Sequence, residues 1–279
     1  MFEDRSLTQL FPTAADVPEA ARVRPSDSPP VMLIDGKVIQ VDSDDLKLPV
    51  YSRVATRNGD ELSPVLVGYE PTVGTGEALA AIDASHRALA GGSGAWPTAS
   101  LEARCGAVER FAAMLAAETE TIARLLMWEI AKPIASARAE VTRSIEYIKD
   151  TVAEAKVLGS STIYTGTAGK TTHNAKDLLR PLGQVLCVAP FNYPINEFLT
   201  TIIPALLAGN VVIAKTPRFG TLANQALARA FAEAFPPGVV ALLPGDGRVV
   251  LPAVISHKQN DIFGNAKGTI DVLAFIGSE

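Results

Sequence analysis

Hydrophobic positions follow two different patterns along the chain. Between about residues 75 and 160, apolar residues recur mostly at helical spacing, whereas after Gln184 short continuous apolar runs alternate with helical stretches. The apolar runs predict four strands, at 184–189, 210–214, 239–243 and 271–276. The stretches between them predict three helices, at 195–207, 222–235 and 249–256.

Strands that are continuously apolar and joined by helices are typical of a parallel sheet covered on both faces. We therefore predict an α/β fold with a Rossmann-like open parallel sheet, preceded by a helical and β N-terminal region. Ligands of such sheets bind beyond the carboxyl ends of the strands. The segments that follow the strands are 190–194, 215–218, 244–247 and 277–279.

The first half of the chain predicts β-structure and then long helices. Two β-prone segments precede a helical one, at 31–41, 48–55 and 75–89. Ser100 is a candidate N-cap of a long helix that Pro133 ends or bends. A further helix runs towards Leu158, and the polar stretch 160–182 predicts an extended hairpin. The expected segments are a β arm at 1–72, a helical part at 73–159, a hairpin at 160–183 and a Rossmann-like part at 184–279.

Composition narrows the class of protein. The chain has 279 residues, of which 48% are hydrophobic, and this content is ordinary for a globular protein. Its formal net charge of -5 argues against a nucleic-acid surface. Its two cysteines, Cys105 and Cys187, form neither a disulfide framework nor a zinc motif. No secretory signal is evident, and the apolar stretch 198–214 is interrupted by proline and glycine. We expect a cytoplasmic protein without a nucleic-acid or membrane partner.

Several motifs stand in a specific order after the predicted strands. They are Ala-Pro-Phe-Asn-Tyr-Pro-Ile-Asn at 189–196, Pro-Ala-Leu-Leu-Ala-Gly-Asn at 204–210 and Phe-Ile-Gly-Ser at 275–278. Together they resemble the cofactor-binding part of the aldehyde dehydrogenase superfamily. Two further segments, 94–98 and 126–133, are similar to the branch of NADP-dependent, non-phosphorylating glyceraldehyde-3-phosphate dehydrogenases.

The resemblance implies that the Asn192 side chain is an oxyanion donor. A fixed amide donor stabilises the charge that develops when a thiolate attacks an aldehyde. Asn192 also precedes a predicted helix, and capping of that helix near Pro194 is the alternative. Tyr193, together with Arg143, is implied as a contact of the substrate phosphate; alternatively, Arg143 is a solvated residue on a helix face.

The resemblance also implies an NADP site. It places Lys215 on the adenosine ribose, the alternative being a solvated lysine on a turn. Arg218 stands where many NAD-using relatives carry a glutamate, and an arginine pairs with the 2′-phosphate that a carboxylate would repel. The glycines of 244–247 allow close backbone approach or simply form a turn. The other implied cofactor contacts are Pro190, Phe191, Gly245, Gly277 and Ser278.

The family's nucleophilic cysteine segment and its general-base glutamate segment do not occur in the 279 residues. The resemblance therefore implies a truncated aldehyde dehydrogenase fold that is inactive alone. The alternative is a non-catalytic cofactor-binding or interaction module that pairs with a full-length homologue, and the hairpin resembles a family oligomerisation element. A generic nucleotide-binding domain is disfavoured because no Gly-x-Gly-x-x-Gly follows a strand.

Overall fold

The computed structural model describes residues 7–159, 163–168, 171–176, 180–260 and 266–277. The helices are α1 (Thr75–Leu89), α2 (Leu101–Ala117), α3 (Thr119–Glu129), α4 (Ile134–Leu158), α5 (Asn196–Leu207), α6 (Thr221–Gln225), α7 (Ala228–Ala234) and α8 (Gly247–Ser256). The strands are β1 (Val31–Ile34), β2 (Lys37–Gln40), β3 (Lys47–Asn58), β4 (Glu61–Pro71), β5 (Ile163–Ala168), β6 (Thr171–Lys176), β7 (Gln184–Val188), β8 (Val211–Lys215), β9 (Val240–Leu243), β10 (Lys258–Asn260), β11 (Ala266–Gly268) and β12 (Val272–Phe275).

A six-stranded sheet in the order β12-β7-β8-β9-β1-β2 organises the fold. β12, β7, β8 and β9 are parallel neighbours, which confirms the predicted mostly parallel α/β sheet. β1 joins β9 in antiparallel orientation through the pair Leu33 and Leu242, and β2 continues the sheet. The sheet thus takes one edge from residues 31–40, which the sequence patterns assign only to an N-terminal arm.

Alternation along the central strands separates two apolar layers. Val185 and Cys187 of β7 face one layer, with α2, α5 and α7, whereas Leu186 faces a second layer with α1 and α8. β12 differs, because Leu273 and Phe275 are each 55% exposed. The expectation that both faces of the sheet are covered is therefore wrong at β12.

Two predicted helices are each divided in the structure. The helix expected from Ser100 to Pro133 breaks at Glu118, where the Thr119 hydroxyl donates to Ala116 O at 2.8 Å and competes with the helical pattern. The helix expected over 222–235 is divided into α6 and α7. Between them, the Leu227 backbone N–H donates to Asn224 O, three residues earlier, as in a 3₁₀ turn. The Ser100 cap is confirmed, because its hydroxyl accepts from the Ala103 backbone N–H at 3.1 Å.

Among the described residues, three hairpins lie outside the main sheet. β3, which contains the predicted β-prone segment 48–55, pairs with β4 in a hairpin. The described parts of 160–182 form the expected hairpin, β5–β6. The short hairpin β10–β11 was not predicted. β3–β4 packs closely on the rest of the fold, since a Cβ added to Gly68 of β4 would lie 2.7 Å from Leu222 of α6. This contact brings the hairpin to the carboxyl-end edge of the sheet.

Candidate functional site

The strand order has a switch point at β7. The chain builds β7, β8 and β9 in one direction and then crosses back to place β12 beside β7. This is the order of half a dinucleotide-binding sheet, in which ligands bind beyond the carboxyl ends of the strands near the reversal. The topology therefore directs attention to the segments that follow β7, β8 and β9.

A cavity of about 790 Å³ opens at these strand ends, and the β3–β4 hairpin forms its opposite wall. Three residues expected at the cofactor site, Lys215, Arg218 and Gly245, line it together. Gly245 has a φ of +83°, and an added Cβ would lie 3.1 Å from the Val73 backbone nitrogen. The turn after β9 therefore requires glycine at this position.

Lys215 is buried in the cavity wall. It is only 3% exposed, and its Nζ donates to Thr216 O at 2.6 Å, so it is not a solvated turn lysine. Burial lowers the pKa of Lys215 to about 8, while Glu70 and Asp246 oppose that shift. Lys215 therefore still carries its charge at pH 7 but loses it at a much lower pH than an ordinary lysine.

Glu70 is a cavity residue that the sequence patterns did not single out. It comes from β4, and its Oε2 accepts from the Gly245 backbone N–H at 3.3 Å. Burial raises the pKa of Glu70, and the charge of Lys215 opposes that shift. Its signal in the sequence is weak, because a lone acidic residue near the end of a β-prone segment is common.

Three arginines reach the same cavity. Arg218 lies with its Cζ 5.5 Å from the centroid of the Phe219 ring, and Arg53 of β3 lies 4.1 Å from the same centroid. Arg248 also lines the cavity and pairs with Asp246 at 2.7 Å. The sequence patterns identified only Arg218 of these three.

A second group of residues surrounds the segment after β7. The Asn192 side chain is exposed, and its backbone carbonyl accepts from Lys132 Nζ at 2.9 Å. Helix α5 begins only at Asn196, so the alternative that Asn192 caps this helix is wrong. Instead, Glu140 Oε1 accepts from the backbone N–H groups of Ile195 and Asn196, at 3.0 and 3.2 Å.

Tyr193 carries two cations on its ring. Lys132 Nζ lies 3.9 Å from the ring centroid, and the Cζ of Arg143 lies 5.7 Å from it. Lys132 is also ion-paired with the fully buried Glu140 of α4. The structure thus brings Tyr193 and Arg143 together, and adds Lys132 and Glu140, which sequence reasoning missed as site residues.

The remaining expected contacts lie apart from the cavity. Pro190 is buried and Phe191 is 60% exposed, and neither is among the residues that line it. Gly277 is exposed just beyond β12, and Ser278 lies outside the described residues. Among the described residues, no cluster of three His, Cys, Asp or Glu side chains is arranged to hold a metal ion.

Both cysteines are buried and free. Burial raises the pKa of Cys187 to about 11, and burial also raises the pKa of Cys105. A thiol of this kind is a poor nucleophile.

Residues 65–272 match the profile of the aldehyde dehydrogenase family. The chain belongs to the aldehyde dehydrogenase family. A protein named NADP-dependent glyceraldehyde-3-phosphate dehydrogenase from Streptococcus equinus is 35% identical over 186 residues, which cover 66% of this chain and 39% of that protein. A protein of the same name from Nicotiana plumbaginifolia is 34% identical over 58% of this chain and 34% of its own length. The chain thus spans well under half the length of these relatives.

Solved aldehyde dehydrogenase structures share the fold. An NADP-dependent glyceraldehyde-3-phosphate dehydrogenase from Bacillus halodurans, complexed with NADP, matches with a TM-score of 0.72 and 28% identity, over 88% of this chain and 48% of that chain. An NAD-dependent aldehyde dehydrogenase from Sinorhizobium meliloti matches with a TM-score of 0.73 and 23% identity, over 94% and 47% of the two chains. The family acts on aldehydes and uses NAD or NADP. In the described part of this chain, no helix is long and apolar enough to cross a membrane.

Proposed function

We propose that this chain is the NADP-binding part of an aldehyde dehydrogenase whose substrate is a phosphorylated aldehyde, with glyceraldehyde 3-phosphate as the candidate. The observation that carries the proposal is the placement of Lys215 and Arg218 in one cavity at the carboxyl end of β8. The names of the two relatives described above support both the cofactor and the substrate.

The charges of the cavity fit a phosphorylated ribose. Lys215 interacts electrostatically with Glu70 and Asp246, and Arg218 with Glu70. Within the described residues, however, no carboxylate lies within ion-pairing distance of the Arg218 guanidinium. A guanidinium pairs with phosphate oxygens through two parallel hydrogen bonds. Lys215, Arg218 and the backbone at Gly245 would hold the cofactor, which supplies hydride chemistry when bound.

The segment after β7 supplies the groups for the aldehyde end. The exposed Asn192 amide is the candidate donor to the oxyanion, because a fixed donor stabilises developing negative charge. Lys132 restrains the Asn192 backbone, which keeps the segment in one position. Tyr193 and Arg143 are the candidate contacts for the substrate phosphate. The buried thiols of Cys105 and Cys187 take no part, and inactivity of the isolated chain remains a prediction.

Calorimetric titration of the purified chain with NADP and with NAD tests the cofactor proposal. NADP should bind more tightly than NAD. Arg218→Glu should raise the Kd for NADP by about tenfold or more, since hydrogen bonds to charged groups contribute about 1.5–3 kcal/mol. NAD binding should be little changed. Arg229→Glu is the matched control, because Arg229 is an exposed arginine of α7 that pairs with Glu233 and does not line the cavity. Equal binding of the two cofactors, or no effect of Arg218→Glu, would contradict the proposal.

A further inference from the structure

We infer that Arg53, on the N-terminal hairpin, is a second phosphate-binding residue and a determinant of the preference for NADP over NAD. This inference rests on the proposed function, since it assigns a second residue to the same cofactor site. Arg53 is 165 residues before Arg218 in the chain. Only the packing of β3–β4 against the sheet brings the two side chains to one cavity.

An irregularity in β3 directs Arg53 to the cavity. Tyr51 pairs with Leu66, and the next regular pair is Ala55 with Pro64, so β3 advances four residues while β4 advances two. A bulge of this kind bends a strand and re-aims its side chains, and bulges recur beside functional sites. Two residues of this irregular segment, Ser52 and Arg53, line the cavity.

Ser52 holds the bulge in place. Its side chain is buried, its hydroxyl accepts from the Val65 backbone N–H at 2.8 Å, and it donates to Val54 O. These bonds replace the ladder bonds that the bulge interrupts, because buried backbone groups need partners. The backbone on both sides of Arg53 is therefore fixed in the conformation that points the guanidinium inward.

Arg53 and Arg218 converge on one aromatic ring. The Cζ of Arg53 lies 4.1 Å from the centroid of Phe219, and that of Arg218 lies 5.5 Å from it. Within the ranges that the structure describes, neither guanidinium has a carboxylate in ion-pairing distance, although Arg248 nearby pairs with Asp246. A cation–π contact with the ring positions a guanidinium without using its N–H donors.

Two such guanidiniums form a site for a phosphate monoester. Like charges held near one another repel, and an anion that binds between them removes that repulsion. A phosphate dianion accepts two parallel hydrogen bonds from each guanidinium, whereas the neutral ribose hydroxyl of NAD offers no comparable charge. Arg53 therefore discriminates between the two cofactors rather than binding their common part.

Calorimetry with NADP and NAD on the full chain tests the inference. Arg53→Gln should raise the Kd for NADP about tenfold and leave the Kd for NAD within about twofold. Arg53→Lys keeps the charge but loses the planar guanidinium, so its Kd for NADP should lie between those of the wild type and Arg53→Gln. Arg57→Gln is the matched control, since Arg57 lies on the same strand but reaches Phe11 O and Gly59 O outside the cavity lining.

The outcomes separate this inference from the proposed function. If the wild-type chain prefers NADP and Arg53→Gln leaves that preference intact, Arg53 has no role, although the proposed function stands. If Arg53→Gln weakens the binding of NADP and of NAD equally, the inference is also overturned, because Arg53 would then contact the part that the two cofactors share. If the wild-type chain shows no preference for NADP, both the proposed function and the inference fail. Circular dichroism melting of each variant distinguishes lost binding from lost folding.

Discussion

At the scale of single residues, burial in the cavity wall changes the pKa of Lys215. Lys215 was identified from its place after a strand, but its lowered pKa follows from its burial beside Glu70, which comes from a remote strand. Burial disfavours the ammonium, and a bound phosphate favours it. If Lys215 holds the cofactor as proposed, its protonation and cofactor binding are coupled.

We predict that NADP binding weakens as the pH rises through 8. The pKa of Lys215 is about 8 in the folded chain, so the residue loses its positive charge above that pH. Calorimetry at pH 7 and pH 9.5 should show an increase of about tenfold in the Kd for NADP, since the protonated fraction falls by at least that factor. Lys215→Met should bind weakly at both pH values, with a smaller change between them.

The effect on folding stability has the opposite sign. Because the folded-state pKa of Lys215 lies below its ordinary value of 10.5, the unfolded chain binds more protons between about pH 8 and 10.5. Lys215 therefore contributes to a free energy of unfolding that rises with pH in this window.

A Kd for NADP that stays flat from pH 7 to 9.5 would contradict the coupling between Lys215 and the cofactor.

At the scale of elements, two helices are capped by carboxylates from other helices. Glu140 of α4 accepts from the first backbone amides of α5, and Glu129 at the end of α3 accepts from the Leu222 backbone N–H in α6. Burial raises the pKa of Glu129 to about 8. The start of α5 has no side-chain cap of its own, so its position depends on α4.

We predict that Glu140→Ala lowers the free energy of unfolding by about 2–4 kcal/mol. The substitution leaves the amides of Ile195 and Asn196 and the ammonium of Lys132 without their buried partner. Urea unfolding followed by circular dichroism measures the change. Glu146→Ala, at an exposed position of the same helix, should change the free energy by less than about 0.5 kcal/mol. Similar losses in both variants would mean that Glu140 has no special role at α5.

At the scale of the whole molecule, β2 and β12 are the two edge strands of the six-stranded sheet. The β1–β2 hairpin extends the sheet beyond β9, whereas β12 lies at the opposite edge with Leu273 and Phe275 exposed. An edge strand with exposed apolar residues tends to pair with another chain. β2 also exposes apolar side chains, Val38 at 41% and Ile39 at 39%, but Leu273 and Phe275 of β12 are each 55% exposed. We therefore expect β12 to contribute most to association between chains.

We predict that the chain associates as its concentration rises and that Phe275→Lys reduces this association. A charge on the exposed face of an edge strand opposes pairing between chains. Sedimentation velocity over a range of concentrations measures the effect. Leu158→Lys, at an exposed position that ends α4 away from the sheet, is the control and should associate like the wild type. A wild-type chain that stays monomeric throughout would contradict the prediction.

The sequence alone determined the features with local signals. Alternating apolar strands and helices predict the parallel core, whose strands end at one edge of the sheet. The motifs after β7 and β8, through the family resemblance that they carry, single out Asn192, Tyr193, Lys215 and Arg218 as candidate site residues. The β-prone segments and the Ser100 helix cap are likewise predicted from residues that are close in sequence. These predictions needed only neighbouring residues.

The tertiary structure decided the features that depend on contacts between distant segments. Pairing of Leu33 with Leu242 places β1 in the sheet, and the packing of β3–β4 brings Arg53 and Glu70 to the cavity. Glu140 caps a helix that begins more than fifty residues later in the chain. No periodicity or motif encodes such pairs, because the burial and partners that give these side chains their roles exist only once the chain has folded.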